Sequence, residues 1–257
     1  MRLIDLNVIY VLVMREFKKF VRARSRLVSS VARPLIWLFF IGGGMSRIVT
    51  PSAGMTYTQY IFPGILGMTI LFSSIFASIS IIWDKEFGFM REILVAPVSR
   101  VSIVLGKAMS GTAVSTVQAI IILCLFPFLG IHMSFVNVIG VVLVCMLVSL
   151  CVSSFGIVLA TFYDSYESFT VIMNFIIMPM FFLSGALYPV KHLPYALRVA
   201  SKLNPLTYGV DALKHLINPT VEGPMSPDFT LALDLVVVAC MTLVFVVLAS
   251  LVFERKK

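Results

Sequence analysis

Charge is what this sequence has least of. Only 12% of its 257 residues are Asp, Glu, Lys or Arg, against about 25% in a soluble domain. Residues 48–83 and 108–163 contain none of the four. With 60% of the chain apolar, there is no room for a soluble domain of about 100 residues. Cysteine is also sparse. Cys124, Cys145, Cys151 and Cys240 all sit inside apolar runs. None has metal-ligand spacing, so they read as small packing residues and point to no redox compartment. The histidines, His132, His192 and His215, fall in expected turns or in the outer segment and read as surface groups, so no metal site is expected. A Walker phosphate loop is absent, because Gly106-Lys107 has Val101 where the first glycine belongs. Ser184-Gly185 is not embedded in G-x-S-x-G. The long apolar tracts lack the mid-membrane Asp, Glu or Lys that an ion-driven carrier holds, at an insertion cost of about 2.5–3.5 kcal/mol or more. The chain therefore does not read as an ATPase, a serine hydrolase or an ion-coupled carrier.

What is there is an all-α integral membrane protein. Residues 1–26 do not read as a cleavable signal peptide. The apolar run from Leu6 to Met14 is followed by Arg15, Lys18, Lys19, Arg22, Arg24 and Arg26 rather than by a small-residue cleavage site. Leu6, Tyr10, Val13, Phe17 and Val21 form an apolar helical stripe opposite the basic face, which predicts an amphipathic helix lying on the membrane surface. Residues 27–257 are expected to hold six transmembrane helices. These are Leu27–Met45, interrupted at Arg33-Pro34; Tyr60–Trp83; two that share the uncharged tract and divide near Pro127–Phe135, with Gly130 and His132 in the turn; Phe169–Leu187; and Leu235–Phe253. The last alone is about 28 Å at 1.5 Å per residue. Fifteen of the 20 basic residues then share one face: the N-terminal segment through Arg33, then Lys85, Arg91, Arg100 and Lys107, and the C-terminal Arg255, Lys256 and Lys257. Arg47, Lys191, Arg198, Lys202 and Lys214 take the other. That asymmetry puts both termini in the cytosol. The net charge of +8 speaks to topology and to anionic membrane lipids, not to nucleic acid.

The most informative stretch is Asp84 to Arg100, a charged segment between two apolar tracts and hence a water-facing connection. Its spacing predicts a short helix over residues 84–97. Asp84, Lys85, Gly88, Arg91 and Glu92 fall on one face, with Phe87, Met90, Ile93 and Leu94 on the other. Pro97 ends it, and Ser99 is placed to cap the next helix. A segment with apolar anchors as well as charge suits docking of a cytosolic partner; a plain hairpin between spans is the alternative.

Residues 188–228 form an outer segment with room for two short helices, Pro194–Leu203 and Leu206–Ile217. In the second, Leu206, Val210, Leu213 and Ile217 line one face and Asp211, Lys214 and His215 the other. Both are expected at, or dipping into, the outer membrane surface. Small residues recur along the spans: Thr69, Ser73, Ala77 and Ser80; Gly111, Ser115 and Gln118; Ser149, Ser153, Gly156 and Ala160. They read as packing seams rather than a substrate lane.

Taken together, YIFPGILGMTILFSS (60–74), EFGFMREILVAPVSR (86–100), SGALYPV (184–190) and LNPLTYGVDAL (203–213) resemble the type-2 ABC transporter permeases, which include drug-resistance, nodulation-factor and polysaccharide export permeases. The resemblance covers essentially the whole chain. It implies a homodimer of six-span subunits in a bacterial inner membrane. It also implies two cytosolic ABC ATPase subunits that carry the ATP and Mg, with no cofactor on this chain. The Asp84 segment would be a coupling helix, with Asp84, Lys85, Glu86, Phe87, Gly88, Arg91, Glu92 and Leu94 meeting the ATPase. The outer helices between spans five and six would be re-entrant, and the complex would export an amphiphilic or hydrophobic substrate such as a drug, a lipid or a lipid-linked glycan. A non-transporting membrane scaffold and a lipid-modifying membrane enzyme remain alternatives from the residues alone.

Overall fold

The computed structural model describes residues 4–46, 55–89, 98–219 and 226–255. Among these the chain is helical, with no strands. Helix α1 (Leu6–Arg22) starts where the Asp5 carboxylate accepts the Asn7 N–H. Helix α2 (Arg24–Trp37) contains Pro34 and runs on through a π-helical turn, Leu38–Gly42, to Met45. Proline removes a ladder hydrogen bond, and a local π turn is a common way to absorb such a defect.

Helix α3 (Tyr57–Glu86) is 30 residues long, about 45 Å. It overruns the expected Tyr60–Trp83 at both ends. The Thr56 hydroxyl and Gln59 side chain form a reciprocal capping box that starts it early. At the far end it continues into the charged segment until Gly88, whose φ of 78° breaks the helix. Ser99 caps α4 (Arg100–Leu123) as expected, accepting from the Ser102 N–H. A short 3-10 turn, Phe126–Leu129, and left-handed Gly130 reverse the chain into α5 (Phe135–Phe162), which Ser134 caps. Helix α6 (Tyr166–Phe182) stops five residues before the expected Leu187, because the chain turns back at left-handed Gly185. Helices α7 (Tyr195–Leu203) and α8 (Pro205–Ile217) fall where the prolines place them, and α9 (Leu231–Arg255) closes the fold.

Among the described residues four helices are long and apolar enough to cross a bilayer: α3, α4, α5 and residues 231–253 of α9. Val31–Met45 and Tyr166–Phe182 are apolar but shorter. Helices α3, α4 and α5 pack against one another, α1 lies across α4, and α9 runs along α5. Burial follows this order. The apolar window of α3 is 72% buried and that of α9 is 17% buried, so α3 is the centre and α9 the rim.

In α1 the stripe residues Leu6, Tyr10 and Val21 are exposed on the protein surface, while Ile9, Leu12 and Phe20 pack inward. Leu12 meets α4 where Gly106 leaves room for it. The second outer helix has no solvent face for its charges. α8 inserts between α3, α5 and α9, and Asp211 and Lys214 are as buried as Leu206 and Val210.

The central contacts rely on small residues. Ser74 and Ser115 hydroxyls lie 2.8 Å apart between α3 and α4. The least forgiving approach is at Gly64, where a Cβ would lie 2.5 Å from the backbone oxygen of Ala186. Backbone cannot rotate away as a side chain can. Gly64→Ala is therefore expected to lower stability by about 1–3 kcal/mol. Gly43→Ala, with open space around it, should melt like the parent in a detergent thermal melt.

Candidate functional site: an ion-pair network beside a cavity

The end of α3 is where charge enters the fold. Asp84 lies one turn before the helix stop and is 5% exposed. Its Oδ2 accepts from Lys107 Nζ at 2.5 Å and from Arg15 Nη2 at 3.1 Å. Lys107 sits in the second turn of α4 and also reaches Ser80 Oγ at 3.0 Å and Glu16 Oε1 at 3.5 Å. Arg15 Nη2 donates to Glu16 Oε1 at 2.8 Å. Lys19 Nζ also lies 3.4 Å from Glu16 Oε1, so two acids meet three bases, and Asp84, Glu16, Arg15 and Lys107 tie α1, α3 and α4 together. Burial works to lower the Arg15 pKa, but Asp84 and Glu16 outweigh it and hold it above its ordinary value. For Glu16, burial works to raise the pKa; Lys107, Lys19 and Arg15 outweigh it and hold the carboxyl below its ordinary 4.5.

Asp84, Lys85 and Glu86 do not form the outer face of a separate docking helix. They are the last turn of α3: Asp84 is buried and Lys85 half-buried, while the exposed Glu86 reaches across the surface to the start of α6. Lys85 Nζ donates to the carbonyls of Tyr163, Ala160 and Thr161 at 2.8, 3.0 and 3.2 Å and pairs with Asp164 at 3.1 Å. A cation on the free carbonyls at the end of α5 complements the helix dipole, and it neutralises the acidic Asp164 turn. Glu86 Oε1 accepts the Tyr166 N–H at 3.3 Å, at the start of α6. After the exposed Glu86 come Phe87, 72% exposed, Gly88 in open space and Phe89, also exposed. A single helix over 84–97 is excluded by the left-handed Gly88. Arg91, Glu92 and Leu94 lie outside the described residues.

Beside the network is a cavity of about 430 Å³ between α1–α2 and α3–α4, reaching Tyr166 at the start of α6. That volume falls within the range of small-molecule sites, about 300–1,000 Å³. Its α3 wall is the small-residue stripe Thr69, Ser73, Ala77 and Ser80, with Gly111 and Gln118 from α4. This stripe lines open space rather than a packing seam. By contrast Ser149, Ser153 and Gly156 are buried against neighbouring helices. Met68, Phe72, Phe76 and Trp83 supply apolar wall, while Lys19 and Arg33 supply positive charge and Glu16 one carboxylate, itself paired with Lys19. The Arg33 guanidinium lies 4.8 Å from the Phe72 ring centroid. Ser73 Oγ is buried without a partner, a hydroxyl available to a guest. The wall offers van der Waals surface, hydroxyls, an amide and cations, which suits binding an amphiphile.

Sequence reasoning missed Arg15, Glu16 and Lys107 as members of one site. The signal available was small: one acid, Glu16, inside a basic run, and one lysine inside the start of an apolar helix.

Comparison with known proteins agrees with this architecture. Residues 7–217 match the family described as ABC-2 type transporter. The chain is 32% identical over 212 residues to a putative transport permease ycf38 of Cyanophora paradoxa, covering 81% of this chain and 73% of that protein. It is 27% identical over 248 residues to Nodulation protein J of Rhizobium meliloti (strain 1021), covering 91% and 87%. Over 169 residues it is 25% identical to the probable multidrug ABC transporter permease YbhR of Escherichia coli (strain K12), covering 63% and 44%.

Two outcomes follow from the network. Lys107→Met leaves the buried Asp84 with Arg15 as its remaining cation and is expected to cost about 3–5 kcal/mol. Asp84→Asn combined with Lys107→Met removes both charges and should melt closer to the parent than Lys107→Met alone. Glu16 is held below 4.5, so its stabilisation of the α1 contact is fully present above that pH. It is lost as pH falls through the lower folded-state value. Electron paramagnetic resonance distances between spin labels on α1 and α4 should stay constant from pH 7 to 5 and lengthen only below that window.

Proposed function

The chain belongs to the ABC-2 type transporter family, and from that premise we propose that it is the permease subunit of an ATP-driven exporter of an amphiphilic or hydrophobic substrate. The subunit is a multi-pass membrane protein. In this reading residues 27–257 make a six-span permease domain. Val31–Met45 and Tyr166–Phe182 complete the four long helices, and α1 lies at the interface of the bacterial inner membrane. Both termini and the Asp84–Arg100 segment are cytosolic, and α7 and α8 form the outer re-entrant element. ATP and Mg bind to a separate cytosolic ATPase, present in two copies, and a second copy of this chain completes the pathway.

The observation that carries the proposal is that one helix serves two ends of the device. Helix α3 lines the cavity through Thr69, Ser73, Ala77 and Ser80 and then ends in the Asp84–Gly88 segment. A partner that grips the exposed Phe87–Phe89 turn, together with Arg91, Glu92 and Leu94 beyond it, pulls on the cavity wall directly. Lys85 and Glu86 pass the same displacement to the α5–α6 turn. The mixed apolar and cationic lining favours an amphiphile with a polar or anionic head.

Purified alone, the chain should turn over no ATP above background. Phe87→Ala and Glu92→Lys change exposed or cytosolic positions and should alter stability by no more than about 0.5 kcal/mol. At an interface the same changes cost about 1.4 kcal/mol for each tenfold loss of docking. Each should reduce co-purification of the ATPase at least tenfold and abolish transport, while insertion is unchanged. Normal ATPase retention and transport in both variants would overturn the coupling assignment. Labelling of a cysteine at position 91 from outside intact cells would overturn the topology.

A further inference from the structure

At the opposite end of α9 from the Arg15–Asp84 network lies a second charged cluster that the transport reading leaves unused. Phe253 near the end of α9 accepts from Arg100, whereas Asp234 sits in its first turn. Those residues are separated by about 28 Å of helix.

Asp234 is fully buried, and neither of its carboxylate oxygens has a hydrogen-bond partner. An isolated buried carboxylate is among the costliest groups a fold can hold. The nearby lysines are engaged elsewhere. Lys214 Nζ donates to the Gly185 carbonyl at 2.7 Å and faces the Tyr60 ring. Lys191 Nζ donates to the Pro227 carbonyl at 2.9 Å and lies 3.9 Å from Asp228. What Asp234 does face is Asp211 and His215. One ligand atom from each of the three lies within 4.8 Å of the others.

The three residues are placed as ligands are. Asp211 and His215 are four apart on α8, one turn along a single face, the spacing that lets two side chains of one helix grip one ion. The Asp211 carboxylate is fixed by the N–H groups of Asp228 at 2.9 and 3.0 Å and of Phe229 at 2.8 Å. It retains lone-pair capacity beyond those bonds. His215 Nε2 lies 2.8 Å from the Phe229 carbonyl. In the tautomer that donates there, the other ring nitrogen is an acceptor, the arrangement that carbonyl-backed histidine ligands use.

We propose that Asp211, His215 and Asp234 form a binding site for a divalent transition-metal cation, with Zn2+ the best fit to one imidazole and two carboxylates. Three protein ligands leave a fourth tetrahedral position open. The imidazole selects against Ca2+ and Mg2+, which favour all-oxygen shells. The ion clamps α8 to the start of α9 and to the 228–229 backbone, and it supplies the positive charge that Asp234 lacks. Its role is to fix the outer segment, independent of which substrate is carried.

The test uses the full-length protein in lipid nanodiscs, purified without a histidine tag, stripped with EDTA and titrated with Zn2+. Metal per chain is read by mass spectrometry and the melting temperature by intrinsic fluorescence. The expected result is one Zn2+ per chain and a higher melting temperature on saturation. Affinity should fall at least tenfold in Asp234→Asn and in His215→Gln, and Ca2+ and Mg2+ should be at least a hundredfold weaker. Should Asp234→Asn not fold, His215→Gln decides by itself. Absence of stoichiometric Zn2+ in the parent protein would overturn the site and leave a protonated Asp234 as the account of its burial. Parental affinity in either folded variant would overturn it too.

Discussion

The bond between Lys107 and Asp84 is the constraint on which the inner end of this protein depends. It joins α4 to α3 at 2.5 Å where both side chains are almost fully buried. Two opposite charges so enclosed are tolerable only together, since removing either leaves the other in a poor solvent. Once the pair exists, its remaining polar capacity has to be met. Ser80 meets part of it from the same face of α3, and Arg15 and Glu16 meet the rest from α1. The N-terminal helix is thereby recruited to the bundle by electrostatic need as well as by Ile9, Leu12 and Phe20. A chain with so few charges concentrates several of them at one junction, and the position of α1 follows.

That junction was only half legible in the sequence. The four long apolar helices were visible because long uncharged tracts have few alternatives in a bilayer. The helix start at Ser99 was equally visible, because caps are local chemistry. Pro194 and Pro205 placed the outer helices for the same reason. Which face of α1 turns inward was not legible. Its outward stripe of Leu6, Tyr10 and Val21 has the same apolar spacing a buried stripe would have, and only the position of Lys107, far along the chain, decides between them. Asp84 was visible as a charge at a membrane boundary, and nothing local distinguishes one that faces a cytosolic partner from one that faces Arg15. The division falls within the last turn of α3: Asp84 turns inward and Lys85 reaches the end of α5, while Glu86, Phe87 and Phe89 are exposed.

The small-residue stripes make the same point about function. Thr69, Ser73, Ala77 and Ser80 look in sequence like Ser149, Ser153 and Gly156, and periodicity assigns both to close packing. The second set is indeed packed, while the first borders a cavity because α2 stands off from α3 where α4 and α5 do not. A helix tilted away from its neighbour changes no residue and changes what the residues are for.

The two ends of the molecule then solve burial of charge in opposite ways. At the end of α3 both acids, Asp84 and Glu16, are met by cations of the chain itself, so they need no positive charge from outside. At the outer end Asp211 spends its carboxylate on backbone N–H groups, Lys214 spends its ammonium on Gly185, and Asp234 is left without a partner. A closed network holds its helices in one arrangement whatever the surroundings contain. An open one holds them only when something from solution completes it. The ion-paired end therefore acts as a permanent joint at the root of α3, and under the proposed metal site the hold of α8 on α9 depends on an ion from solution.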